Sequence, residues 1–90
     1  MAKTDVIAAD LVQAMKARDS LKVSTLRMLV AALKNGQIAK GSVLTDQEAE
    51  AVLAKEAKKR QQAIEAYERG NRPELAAKET AEREIIKSYL

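Results

Sequence analysis

Four cations lie close together in the second half of the chain: Lys55, Lys58, Lys59 and Arg60. On a helix, the three lysines fall on one side, because residues three and four apart are neighbours. Lys34 adds positive charge from the first half of the sequence. Ammonium and guanidinium groups bind phosphate oxygens, and each contact weakens as salt rises. These five residues, the predicted basic patch, indicate binding to RNA or to another acidic partner.

The aromatic content restricts how RNA could be recognised. Tyr67 and Tyr89 are the only aromatic residues, and neither is adjacent to the lysines in sequence. Without an aromatic platform, recognition of single-stranded RNA by base stacking is disfavoured. A folded RNA, recognised through its shape and backbone, is the better candidate. The alternative is a solvated helix face whose charge is partly neutralised by Glu50, Glu56 and Glu65.

Charged residues also occur where the helical pattern calls for apolar ones. Glu56 and Arg60 lie on the inner stripe of their helix, and Arg27 stands between Leu26 and Met28. Glutamate four residues before arginine is the favoured order for a helical ion pair. We therefore predict a network of Arg27, Glu56 and Arg60 across two helices. Its role is either structural specificity or a recognition site.

The chain lacks the residues of common catalytic and metal sites. It has no His and no Cys, so it offers neither an imidazole base nor a thiolate. Neither nucleotide-binding glycine fingerprint is present. Glu79 and Glu82 could share a hard cation, but a solvated face paired with Lys78 and Arg83 is the simpler interpretation. We predict no catalytic residue, no metal and no cofactor.

The elements that position these residues are helices. Ala, Leu, Glu and Lys are abundant and favour helix, and no segment alternates like a strand. Apolar spacing predicts helices over residues 5–18, 21–39, 45–69 and 73–90. Thr4 is a predicted N-cap, Thr45 and Glu48 form a capping box, and Gly70 suits a left-handed helix end. Short connections predict a single all-α domain over 1–90, a mostly antiparallel four-helix bundle.

Charge distribution and hydropathy indicate the cellular location of the protein. Residues 1–44 carry seven Lys or Arg and three Asp or Glu, a net +4, whereas residues 45–90 carry nine and ten, a net −1. No apolar run approaches the roughly 20 residues that a bilayer-spanning helix needs. The first residues lack the apolar stretch of a secretory signal. We predict a cytoplasmic protein with no membrane association.

Blocks of sequence in order resemble the YqeY family over essentially the whole chain. They are Ser24-Thr25-Leu26-Arg27-Met28-Leu29, Ala32-Leu33-Lys34-Asn35, Leu44-Thr45-Asp46-Gln47-Glu48, Lys55-Glu56-Ala57-Lys58-Lys59-Arg60, Ala63-Ile64-Glu65-Ala66-Tyr67 and Gly70-Asn71-Arg72-Pro73-Glu74-Leu75, with Glu79 to Leu90 continuing the match. The resemblance implies the N-terminal helical domain of such proteins, the GatB/YqeY motif subdomain. We expect that the family's C-terminal domain is absent, since the fourth helix is predicted to be still running at Leu90.

The resemblance also implies a biological setting. The family shares a helical region with the tail of GatB, an amidotransferase subunit, and that tail helps to hold tRNA. We therefore expect a non-catalytic domain that assists tRNA-dependent amidotransferase function by binding tRNA, an amidotransferase subunit or another helical protein. A first alternative, implied by family labels, is carbon–nitrogen ligase activity with glutamine as the amido donor. A second is a pure protein–protein module that docks the end of the fourth helix.

Overall fold

The computed structural model describes residues 1–90 and contains four α-helices and no strand. They are α1 Lys3–Lys16, α2 Ser20–Lys40, α3 Asp46–Arg69 and α4 Pro73–Lys87. The predicted all-α fold with four helices is confirmed. The molecule is elongated, with principal extents of 42 × 29 × 19 Å, because α2 and α3 are both longer than five turns.

Aliphatic residues alone build the core. Ile7, Leu26, Leu29, Leu53 and Ile86 are completely buried, and together they draw on all four helices. The packing is uneven: α3 packs most extensively on α4, and α1 on α2, whereas α2 and α3 share a smaller contact. The space beside that smaller contact is the largest groove of the molecule.

Gly36 of α2 lies close to Leu44, which precedes α3, and to Val52 within α3. The helix continues through it to Lys40. A Cβ at this position would lie 3.2 Å from Leu44 Cδ1 and 3.5 Å from Val52 Cγ2. Glycine destabilises a helix by about 1 kcal/mol relative to Ala. At this position the close packing of Leu44 and Val52 favours glycine despite that cost.

The helix starts agree partly with the predictions. Thr45 and Glu48 form the predicted capping box, and Pro73 occupies the first position of α4. The prediction that Thr4 caps α1 is wrong, because the helix already begins at Lys3. The Lys3 backbone N–H instead donates to Asp46 Oδ1 at 3.0 Å, so the first turn of α3 supplies the acceptor. A cap supplied by another helix leaves no local sequence pattern.

Two helix ends also differ from expectation. Gly70 has a right-handed backbone (φ −84°), and Asn71, with φ 55°, takes the left-handed position. Asparagine tolerates that region better than most residues. Helix α4 stops at Lys87 rather than running through Leu90. The Tyr89 hydroxyl donates to Asp10 Oδ2 at 2.7 Å, which ties the end of the chain to α1.

Replacing Glu48 with Gln is expected to remove part of the protein's acid sensitivity. The Lys40 ammonium, and next the Thr45 backbone N–H, lower the pKa of Glu48 from 4.5 to about 2. Folding therefore stabilises the carboxylate. That stabilisation is complete above pH about 4.5 and disappears as pH falls toward about 2. Urea unfolding across this range should show wild type and Glu48→Gln converging at low pH. A constant difference, or the same convergence in the control Glu68→Gln, contradicts this assignment.

Candidate functional site

Helix α3 presents three exposed lysines on one side. Lys55, Lys58 and Lys59 lie within little more than one turn, and we call them the lysine face. Lys59 Nζ is 3.0 Å from Glu56 Oε2, whereas Lys55 and Lys58 have no carboxylate within ion-pair distance. Two of the three ammonium groups are therefore free to meet an anion from solution.

The lysine face borders a groove between α2 and α3, here named the α2–α3 groove. Its volume is about 490 Å³. Its lining consists of Met28, Ala31, Ala32, Asn35 and Gly36 of α2 with Val52, Lys55, Glu56 and Lys59 of α3. The groove exists because small residues face α3 along this side of α2. Two lysines thus stand on one wall and an amide on the other.

Glu56 is the only acidic residue of the groove, and it is turned inward. It is 7% exposed. The inner-stripe position that the sequence predicts for Glu56 explains this burial. Glu56 therefore neutralises Lys59, and Lys55 and Lys58 carry the positive charge that remains. Of the three lysines, Glu56 pairs with Lys59 alone.

The other two residues of the predicted basic patch lie elsewhere. Lys34 borders a separate groove between α1 and α2, together with Asp5 and Gln37. Arg60 turns toward α4, where its Nε is 3.3 Å from Glu79 Oε2. The structure thus brings together Lys55, Lys58 and Lys59 alone. Arg60 follows Lys59 directly, but adjacent residues on a helix project in different directions, so the two cations face different sides.

The predicted network of Arg27, Glu56 and Arg60 does not form in the structure. Arg27 is exposed, and its Nη2 lies 3.7 Å from Met15 Sδ. Glu56 pairs with Lys59, and Arg60 pairs with Glu79. Arg27 is one residue beyond the buried Leu26 and therefore projects from a different side of α2. That side faces α1 and not α3. Each of the three side chains therefore has a different neighbour.

A buried charge cluster joins α3 to α4 instead. The side chains of Arg60 and Glu79 are only 17% and 20% exposed. The Arg60 guanidinium also contacts the Met28 sulfur, and Arg83 donates to Gln61 across the same interface. Arg60 Nε and Glu79 Oε2 are within ion-pair distance but not aligned for a hydrogen bond. Their attraction is therefore mainly coulombic.

Glu79 and Glu82 consequently do not form the solvated acidic face that the sequence suggests. Both are half-buried against α3. Burial, and then the neighbouring charge of Glu79, raise the pKa of Glu82. The sequence does contain a signal for this cluster: Glu79 and Arg83 share one stripe of α4 with the buried Ala76 and Ile86. Reading that stripe as an inner face would have placed both charges inside.

The lysine face and the α2–α3 groove both present groups that can bind a ligand. No three acidic side chains gather into a group that could hold a metal ion. None of the four helices combines the length and apolar character needed to cross a bilayer. The lysine face can hold phosphate or carboxylate oxygens. The α2–α3 groove offers an apolar floor, one amide and one buried carboxylate.

Comparison with known proteins gives a consistent family. The family described as Yqey-like protein matches residues 4–90. "Altered inheritance of mitochondria protein 41, mitochondrial" from Lachancea thermotolerans is 38% identical over 82 residues, covering 90% of this chain and 44% of the relative. The protein of the same name from Saccharomyces cerevisiae is 32% identical over 90 residues, covering 99% and 49%. An uncharacterized protein of Schizosaccharomyces pombe is 33% identical over 85 residues, covering 94% and 69%.

These relatives bear on two expectations from the sequence. The chain spans about half the length of the mitochondrial relatives that it matches. The prediction of a cytoplasmic protein is contradicted, because the names of those relatives point to mitochondria. The resemblance seen in the ordered sequence blocks is confirmed over nearly the whole chain. The chain belongs to the Yqey-like protein family.

Proposed function

We propose that this domain binds tRNA through the lysine face and the adjoining α2–α3 groove. It does so as a non-catalytic accessory to tRNA-dependent amidotransferase function. The observation that carries the proposal is the juxtaposition of three exposed lysines with a groove whose single acid is buried. Such a surface attracts a polyanion over a length of one helical turn, about 6 Å.

The electrostatics favour phosphate contacts made from a rigid support. Lys55 and Lys58 project from the middle of a 24-residue helix, so their backbone positions are fixed before binding. Preorganised contacts lose less conformational entropy on association. The amidotransferase setting is supported by the helical region that the YqeY family shares with the tail of GatB. The chain matches about half the length of the mitochondrial relatives. This coverage supports the proposal that residues 1–90 correspond to one helical domain of such proteins.

The two alternative functions gain less support. Docking through the end of α4 requires a free helix face, yet Ile86 is completely buried and Tyr89 is bonded to Asp10. Glutamine-dependent ligase activity requires a nucleophile with a base, and the chain has neither His nor Cys. An amidotransferase subunit remains a proposed partner that holds the same tRNA.

Binding of tRNA by the purified domain should depend steeply on salt. Two to three phosphate contacts predict a slope of about −2 in a plot of log affinity against log salt concentration. Fluorescence anisotropy with labelled tRNA between about 0.05 and 0.2 M salt measures it. A single-stranded RNA of equal length is the control and should bind more weakly. Binding that ignores salt, or no binding at the lowest salt, contradicts the proposed function.

A further inference from the structure

The α2–α3 groove has the size and lining of a small-ligand site. Its volume of about 490 Å³ falls within the range of roughly 300–1,000 Å³ that small-ligand pockets occupy. Ala31 and Ala32 form part of its floor, and Met28 and Val52 supply larger apolar surface. Four of the nine lining residues are polar or charged, namely Asn35, Lys55, Glu56 and Lys59. This combination fits a ligand with a flat apolar body and a small number of polar atoms.

The α3 wall of the groove suits an anion. Lys55 and Lys59 line it, and the Lys59 side chain is 52% exposed even though it pairs with Glu56. An ammonium group carries three donors, so Lys59 can hold Glu56 and still donate to a second oxygen. Lys55 has no competing carboxylate. A phosphodiester, which carries one negative charge, would balance the single positive charge that Lys55, Lys59 and Glu56 carry together.

The interior of the groove suits a hydrogen-bond donor. Glu56 lines the groove while it is more than nine-tenths buried, and an ionised carboxylate can only accept hydrogen bonds. Lys59 is the one charged partner that the structure gives it. Asn35 on the opposite wall can donate and accept. A ligand that places an N–H group toward Glu56 is favoured, and one that places a carbonyl there is repelled.

We propose that the α2–α3 groove takes one unpaired nucleotide of the bound RNA, with its phosphate at Lys55 and a base amino group at Glu56. This inference rests on the proposed function and names the part of the RNA that the groove recognises. Cytosine presents an N4 amino donor where uracil presents an O4 acceptor. The apolar floor packs against the base plane in place of an aromatic side chain. An otherwise paired, folded RNA therefore contributes both backbone contacts and a single exposed base.

Three labelled RNA hairpins test this assignment: one fully paired, one with a single bulged cytosine and one with a single bulged uracil. The wild-type domain should bind the cytosine bulge about fivefold more tightly than the uracil bulge. Ala31→Leu, which fills the groove at an exposed helix position, should remove this preference. Glu56→Gln should also lose it, although its tRNA affinity at low salt should be retained or increased, because the substitution frees Lys59 from its ion pair. Circular dichroism establishes that each variant is folded.

The possible outcomes distinguish the nucleotide site in the α2–α3 groove from tRNA binding by the lysine face. Equal binding of all three hairpins, with a normal salt dependence, overturns the nucleotide site and leaves the lysine face standing. Retention of the cytosine preference by Ala31→Leu likewise overturns it, because the base would then lie outside the groove. No binding of any hairpin or of tRNA at low salt overturns both proposals.

Discussion

Replacing Arg60 with Met should lower the free energy of unfolding by about 2 kcal/mol. The substitution leaves Glu79, whose side chain is only 20% exposed, without its partner across the α3–α4 interface. Breaking a fully buried ion pair costs about 3–5 kcal/mol, and the residual exposure of both side chains reduces that figure. For a domain whose total stability is on the order of 5 kcal/mol, the melting temperature should fall by roughly 10 °C.

A double-mutant cycle isolates the contribution of the pair. Glu79→Met alone should destabilise by a similar or smaller amount, because it removes the carboxylate paired with Arg60 but leaves the charge of Glu82 nearby. Combining Arg60→Met with Glu79→Met should recover about 1 kcal/mol or more relative to the sum of the single changes. Arg27→Met is the matched control on an exposed position and should change stability by less than about 0.5 kcal/mol. Additive single effects, or equal losses for Arg27→Met and Arg60→Met, contradict the assigned pairing.

Features that depend on a few consecutive residues could be predicted from the sequence. The capping box at Thr45 and Glu48, the start of α4 at Pro73 and the inward position of Glu56 all follow from local spacing. Helix propensity and apolar periodicity act within one helix, so their consequences are visible without knowledge of the fold. The number and order of the helices follow for the same reason.

Features that depend on how two helices are rotated against each other could not be predicted. The side of α4 that packs on α3 determines which residue pairs with Arg60. The side of α2 that packs on α1 determines that Lys34 lies apart from the lysine face. The capping of α1 by Asp46 needs two helix ends to meet in space. For Arg60 and Lys34 the sequence indicated a residue with the right chemistry but not its neighbour, and for the cap of α1 it indicated neither.

Helix α3 divides its polar residues among three directions. Arg60 faces α4, Glu56 lies at the bottom of the α2–α3 groove, and Lys55 and Lys58 face solvent. The division explains how a helix of mixed charge can present a positive surface on one side. Glu56 offsets the charge of Lys59, so Lys55 and Lys58 carry the net positive charge that an approaching RNA meets on this side.

Reversing the charge of two of these lysines should cost at least about tenfold in tRNA affinity. The variant Lys55→Glu with Lys58→Glu replaces phosphate attraction by repulsion and should reduce the magnitude of the salt slope by about two. Both side chains are exposed and make no ion pair, so the fold should be unaffected. Lys22→Glu with Lys78→Glu is the matched control, because it changes the net charge by the same amount from two other exposed positions.

The ratio of tRNA affinities between these two double variants tests the lysine face most directly. Both start from a net charge of +3 and lose four charges, so nonspecific attraction falls equally in each. Anisotropy titrations at one salt concentration should show the Lys55 and Lys58 variant binding about tenfold more weakly than the Lys22 and Lys78 variant. Equal weakening of the two would mean that tRNA responds to overall charge alone, and it would contradict a binding surface on α3.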